Sequence, residues 1–179
     1  MRDDIQIGII GGGAMAEALI AGLTACGTIP ASHINVSEHK AMRCDQLTQK
    51  YAVRAQVGAE AFLPRIAALI LAVKPGVAAA AMRETAPLLR ADALVLSIVA
   101  GLTIEEIEAS YPNHPVVRAM PNTPLAVGAG MSAFACGTHA GVAECELAEL
   151  LLGSAGRTVE VHEGELDAVT GLSGSGPAY

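Results

Sequence analysis

The most constraining stretch of the chain lies near its start. A β-branched run, Ile5-Gln6-Ile7-Gly8-Ile9-Ile10, enters Gly11-Gly12-Gly13-Ala14-Met15-Ala16. A strand that feeds a glycine turn and then a helix is the opening of a βαβ unit. Gly11, Gly13 and Ala16 hold the special positions of a G-x-G-x-x-A dinucleotide-binding fingerprint. The first glycine permits a tight turn, and the second lets a pyrophosphate approach the backbone. The small third residue lets the helix lie close to the strand. The pyrophosphate would meet the helix N-terminus, where unpaired N–H groups and the helix dipole favour negative charge. Three glycines alone could form a flexible turn. The strand before them and the long helical pattern after them select the binding reading.

The rest of the chain continues the alternation. Gly13 to about Cys26 has helical spacing, with Met15, Leu19 and Leu23 on one face, and Gly27 ends it. Ala18 and Gly22 are spaced for close contact with a sheet. Ile34–Ser37 reads as a second strand, Ala41–Lys50 as a helix, Tyr51–Gln56 as a strand and Ala59–Leu63 as a helical turn. Ala67–Val73 is a buried central strand closed by Lys74-Pro75-Gly76. Val77–Leu89 is an Ala-rich helix and Ala93–Ile98 a further strand. Thr103 and Glu106 have the T-x-x-E spacing of a capping box. Pro115–Met120 is a strand that ends in Pro121-Asn122-Thr123-Pro124. Beyond it, Gly128–Cys136 reads as an edge strand, Val142–Leu152 as a helix, Arg157–Val161 as a strand and Glu163–Val169 as a helical segment. This order predicts the α/β class: a Rossmann-type doubly wound, mainly parallel sheet with helices on both faces. Residues 1–162 form the dinucleotide-binding domain on this reading, and 163–179 a hinge segment.

Composition removes several alternatives. Aromatics are 3% of the chain, so the core must be built from Ala, Val, Leu and Ile. The net charge is −7 and no Lys/Arg run occurs, which argues against nucleic acid as a partner. The longest apolar runs, Ala67–Val73 and Ala91–Leu102, are too short to span a bilayer. Cys26, Cys44, Cys136 and Cys145 form no C-x-x-C pair and read as small buried hydrophobes in a reducing compartment. Neither they nor the scattered histidines suggest a metal site, and a cytoplasmic protein is the simplest reading. Gly171-Leu172-Ser173-Gly174-Ser175 lacks the last glycine of a hydrolase elbow.

Four predicted strand ends carry unusual chemistry: Gly11–Met15, Ala72–Pro75, Ser97–Gly101 and Pro121–Pro124. Parallel strands would gather them on one edge, where doubly wound sheets bind ligands. The tip of the second strand, which reads the adenosine ribose in such folds, is Ser37-Glu38-His39-Lys40. An acidic residue there favours NAD, whereas a hydroxyl with nearby cations favours NADP. This tip offers both, and as a solvated turn it would read neither. Asn122, between two prolines, has a rigidly held amide and is the candidate catalytic residue, with a purely structural turn as the alternative. Pro75 restricts Lys74, which favours a turn-shaping role for that lysine.

Several of these motifs together resemble pyrroline-5-carboxylate reductase, and the resemblance covers essentially the whole chain. It rests on Gly11-Gly12-Gly13-Ala14-Met15, Ala72-Val73-Lys74-Pro75, Ser97 through Gly101 and Met120-Pro121-Asn122-Thr123-Pro124. The last motif is Ala168-Val169-Thr170-Gly171-Leu172-Ser173-Gly174-Ser175-Gly176-Pro177-Ala178-Tyr179. The resemblance implies an NADPH-preferring reductase, with NAD left open, that passes a hydride to the C=N carbon of a cyclic imine and gives proline. It implies that Ile10, Gly11, Gly12, Gly13, Ala14 and Met15 line the cofactor with Ala72, Val73, Lys74 and Pro75. Ile98, Val99 and Ala100 would approach the nicotinamide half, with Asn122 near the same end. Two local departures stand out. Gly58-Ala59-Glu60 occupies the place of a family asparagine, and Ala67-Ala68 the place of a common acidic residue. The family continues into a helical domain of roughly a hundred residues, an ordinary domain size. That domain forms the dimer and holds the substrate carboxylate. A homo-oligomer is therefore implied for a full-length member and not for this chain. The alternatives are a catalytically silent dinucleotide-binding module, or another Rossmann dehydrogenase of the β-hydroxyacid type or a deazaflavin-linked reductase, which share the glycine turn.

Overall fold

The computed structural model describes residues 5–171. Its centre is β1 (Ile7–Ile10), fully buried and flanked on both sides by parallel strands. On one side lie β2 (Ile34–Ser37) and β3 (Arg54–Gln56); on the other lie β4 (Ala68–Leu71), β5 (Leu94–Ser97) and β6 (Val116–Pro121). The order is β3-β2-β1-β4-β5-β6, continued by β7 (Gly130–Cys136) and β8 (Gly156–Glu160). Ile7 faces Ile34 in one neighbour and Ala68 in the other, so the strand starts are level. Among the described residues only the β6–β7 pairing is antiparallel, with Ala119 opposite Phe134.

Strand alternation divides the core into two layers. Ile7, Ile9, Ile70, Leu96 and Val117 pack under α1 (Ala14–Ala25), α2 (Ala41–Tyr51) and α5 (Val142–Gly153), through Leu19, Leu47 and Leu151. Ile10, Leu71, Val95 and Val116 pack under α3 (Pro75–Thr85) and α4 (Ile104–Ser110), through Met82, Ile107 and Tyr111. Helices therefore cover both faces, as the alternation of apolar runs predicts. Gly8 has a packing role in this arrangement. A Cβ there would lie 2.7 Å from both Phe62 and Ile66, so its absence admits those side chains against the sheet.

Several boundaries differ from the sequence reading, each for a local reason. The strand read from Tyr51 begins at Arg54, because Tyr51 ends α2 and Ala52 caps it in the left-handed region at φ 58°. The helix read from Val77 begins at Pro75, since proline suits the first helical position. The strand read as Gly128–Cys136 starts at Gly130 and is no edge, because β8 pairs along its far side. Gly22 meets Ser154 and Ala155 rather than a strand. The cysteines also depart from the expectation of buried thiols. Cys136 at the end of β7 and Cys145 in the first turn of α5 are joined, S–S 2.11 Å, because the intervening turn folds helix back on strand. Cys26 is exposed, and Cys44 is the buried thiol.

The segment read as a hinge begins with a 3-10 turn, Glu163–Glu165, and the short α6 (Leu166–Val169). Leu166 is fully buried. Arg118, buried on β6, reaches Glu163 at 3.1 Å and Asp167 at 2.9 Å. Thus 163–169 lies against the sheet. The motif from Leu172 to Tyr179 lies outside the described residues. No helix among the described residues is long and apolar enough to cross a membrane.

Candidate dinucleotide-binding site

The sheet winds in opposite directions from β1, toward β2 on one side and β4 on the other. Such a switch point leaves a crevice beyond the strand ends, and the glycine turn occupies it. Gly11 has φ +100° and donates its N–H to the Ser37 carbonyl at 2.8 Å. A Cβ on Gly11 would lie 2.6 Å from the Ala72 carbonyl oxygen, so the turn is pressed against the end of β4. A Cβ on Gly12 would lie 3.0 Å from Leu47 and 3.2 Å from Glu38. Gly13 differs from both: a Cβ there would meet nothing within 4 Å. It is the N-cap of α1, and no side chain among the described residues caps that helix. The open backbone at Gly13 and the uncapped N–H groups of α1 fit a pyrophosphate.

The other predicted strand ends gather on the same edge. The Ala72 N–H bonds the Ile10 carbonyl at 2.9 Å, and the Ile98 N–H bonds the Leu71 carbonyl at 3.0 Å. Lys74 is an exposed N-cap of α3, with Pro75 at the first helical position and Val77 N–H on its carbonyl. This is the turn-shaping role read from Lys-Pro. After β5, the buried Ser97 hydroxyl accepts the Val99 N–H at 3.2 Å and turns the chain. Ile98 and Val99 point into the core, which leaves Ala100 as the exposed member of that trio. Asn122 is half-buried, and its Oδ1 accepts the Met131 N–H at 2.8 Å. That bond ties the loop to β7. Among the described residues its Nδ2 has no hydrogen-bond partner. The turn after it, Thr123–Val127, packs on α1.

At the tip of β2, Glu38 has a side chain only 10% exposed, while His39 and Lys40 are exposed. A cleft of about 200 Å³ opens beside this tip, with Ile10, Ser37, His39, Gly58, Glu60 and Glu84 in its wall. The departure at Gly58-Ala59-Glu60 therefore lines this cleft beside the β2 tip. The metal-ligand chemistry of the described residues comes down to one trio, Cys136, Cys145 and Glu160. The disulfide occupies both thiols of that trio.

Sequence reasoning missed a charged clamp behind the turn. The Arg43 Nε donates to the Gly12 carbonyl at 2.7 Å, and its Nη2 reaches Glu17 at 2.5 Å. Lys50 and Tyr51 donate to the other Glu17 oxygen at 2.8 and 3.0 Å. These residues lie on two helices, and only the βαβ fold brings them together, so no local spacing signals them. The Lys50 and Arg43 bonds, with help from Tyr51, hold the Glu17 carboxyl down at about 2, against the opposing effect of burial. A depressed folded value means that Glu17 stabilises the fold fully above its ordinary 4.5 and loses that contribution as the pH falls toward 2. Lys50 sits largely in water, so the effect is on the order of 1 kcal/mol. Urea unfolding at pH 7 and pH 3 is expected to show a smaller acid loss in Glu17→Gln than in the parent. An equal loss in both proteins would rule the clamp out as its source.

Comparison with known proteins agrees with this geometry. The chain is 42% identical to a pyrroline-5-carboxylate reductase of Synechocystis sp. over 175 residues, 98% of this chain and 65% of that protein. The structure of a pyrroline-5-carboxylate reductase from Coxiella burnetii matches with TM-score 0.93 at 31% identity, covering 98% of this chain and 66% of that one. Plasmodium falciparum pyrroline carboxylate reductase, solved with NADP bound, matches with TM-score 0.89 at 25% identity, over 100% of this chain and 66% of that one. Fold and site together define a Rossmann-like NAD(P)-binding domain, and residues 6–101 match the family model described as NADP oxidoreductase coenzyme F420-dependent. The chain belongs to the pyrroline-5-carboxylate reductase family and corresponds to its N-terminal NAD(P)-binding domain. It spans 65% of the length of the Synechocystis relative.

Proposed function

We propose that this chain supplies the cofactor-holding part of an NAD(P)H-dependent reductase that converts pyrroline-5-carboxylate to proline. The observation that carries the reading is the open Gly13 backbone at the uncapped start of α1, in a chain of this family. The N–H groups from Gly13 to Met15 would hold the pyrophosphate, with Gly11 fixing the turn against Ala72. Ala72 to Pro75 would form the floor of the crevice. The exposed Ala100 turn and the Asn122 amide would bound the nicotinamide end. A bound reduced nicotinamide supplies the hydride. The chain's own contribution is placement, since holding two reactants in one geometry lowers the barrier without a nucleophile. Residues 1–162 serve as the binding domain on this reading, with 163–179 as the hinge segment toward the part that holds the substrate and forms the dimer. The substrate is a small molecule and the setting cytoplasmic.

The test is a hybrid: this chain joined to the remainder of the Synechocystis relative, expressed in a proline auxotroph. Growth without proline is expected, together with its loss when Gly13→Asp is introduced. A stably expressed hybrid that fails to support growth would contradict the reading.

A further inference from the structure

Glu38 follows β2 directly, and its carboxylate is built into the glycine turn. Oε2 accepts the Gly12 N–H at 2.9 Å, and Oε1 accepts the Lys40 N–H at 3.1 Å. His39 Nδ1 lies 2.6 Å from Oε1. Burial opposes ionisation here, but the Gly12 and Lys40 N–H groups and His39 outweigh it and hold the carboxyl below its usual range. The turn therefore carries a fixed, nine-tenths buried anion at neutral pH.

Its position decides what it would meet. In a doubly wound sheet the adenosine ribose lies over the end of the second strand. A ribose diol brings hydroxyl donors that a carboxylate accepts, whereas a 2′-phosphate brings close to two negative charges. The surroundings add no relief for such an anion. Glu60 and Glu84 line the adjoining cleft. The guanidinium that reaches the turn, Arg43, is committed to the Gly12 carbonyl, Glu17 and Gln46. His39 is 79% exposed and already pairs with Glu38, and Lys40 is exposed, so water and salt screen both.

We infer that Glu38 is a specificity-determining residue that makes this chain select dinucleotides with a free 2′-hydroxyl, NADH over NADPH, opposite to the preference that the family resemblance implies. The inference rests on the dinucleotide reading of the site given above. The closing experiment separates the two. The purified 179-residue chain is titrated with NADH and with NADPH by cofactor fluorescence, and with 5′-ADP and 2′,5′-ADP by calorimetry. The expected result is at least about tenfold tighter binding of NADH than NADPH, with the same order for the two adenosine probes. Glu38→Ser should erase or invert that ratio. Glu38→Gln, which keeps an acceptor for the Gly12 N–H, should narrow it through loss of charge alone. Equal or tighter binding of NADPH by the parent would overturn the inference and leave the dinucleotide reading standing. So would a ratio unchanged in both variants. Binding of neither dinucleotide by folded protein would overturn the dinucleotide reading itself, and the inference with it.

Discussion

Gly13→Asp is expected to fold as the parent does and to lose at least about a hundredfold in dinucleotide affinity. The reason is the contrast between Gly13 and its neighbours. A Cβ at Gly13 meets nothing within 4 Å, and its backbone is extended, with φ −72° and ψ −175°. An aspartate is also a favoured N-cap, so the helix itself should gain slightly. Yet its carboxylate would cover the α1 N-terminus, take the N–H groups meant for the pyrophosphate and repel that anion at close range. About 2.7 kcal/mol, the equivalent of a hundredfold, is modest for a charged group placed on an anion site. Thermal unfolding and a cofactor titration on the same sample check both halves. A folded Gly13→Asp protein that binds as tightly as the parent would remove the turn from the binding site.

Gly11→Val is expected to fail in the opposite way, through stability. Gly11 holds φ +100°, which a β-branched residue resists, and a Cβ would sit 2.6 Å from the Ala72 carbonyl oxygen. That oxygen is backbone at the end of a central strand and cannot swing aside as a flexible side chain would. Strain at such a dihedral and overpacking against backbone together cost about 3 kcal/mol. That is a large fraction of a typical domain's stability. Urea unfolding should show the loss in the absence of any cofactor. A change below about 1 kcal/mol would mean that the turn relaxes and the first glycine is dispensable. The two substitutions, two positions apart in one motif, thus separate the glycine that the protein needs from the glycine that the ligand needs.

The same contrast shows how much was legible in the sequence. The G-x-G-x-x-A spacing gave the turn, and the alternation of apolar runs gave the parallel strands β1, β2, β4, β5 and β6 and both helical layers. Both signals are local, with hydrophobic period and special backbone positions lying close together in the chain. What was missed is non-local. β7 was read as an edge because nothing near Gly130 announces that Gly156–Glu160 will pair with its far side. The Cys136–Cys145 bond depends on how α5 folds back on β7. The Glu17–Arg43 clamp joins residues 26 positions apart on different helices. The surroundings of the β2 tip fall in the same class. Ser37-Glu38-His39-Lys40 contains ligands for either ribose, and only the fold shows Glu38 buried on Gly12 while His39 and Lys40 face water. Asn122 divides between the two cases. Its place in a turn between two prolines was legible, whereas the use of its Oδ1 on Met131 was not.

The most direct measurement is an amide chemical-shift map of the 179-residue protein as NADH is added. Binding at the switch point should move the amides of Gly11 to Met15, Ser37 to Lys40, Val73 and Lys74, and Val99 to Gly101, and leave those of α5 and β8 in place. Absence of saturable shifts would contradict a dinucleotide site on this edge. So would shifts confined to the groove around Cys26, Glu149 and Ser154 at the C-terminal end of α1.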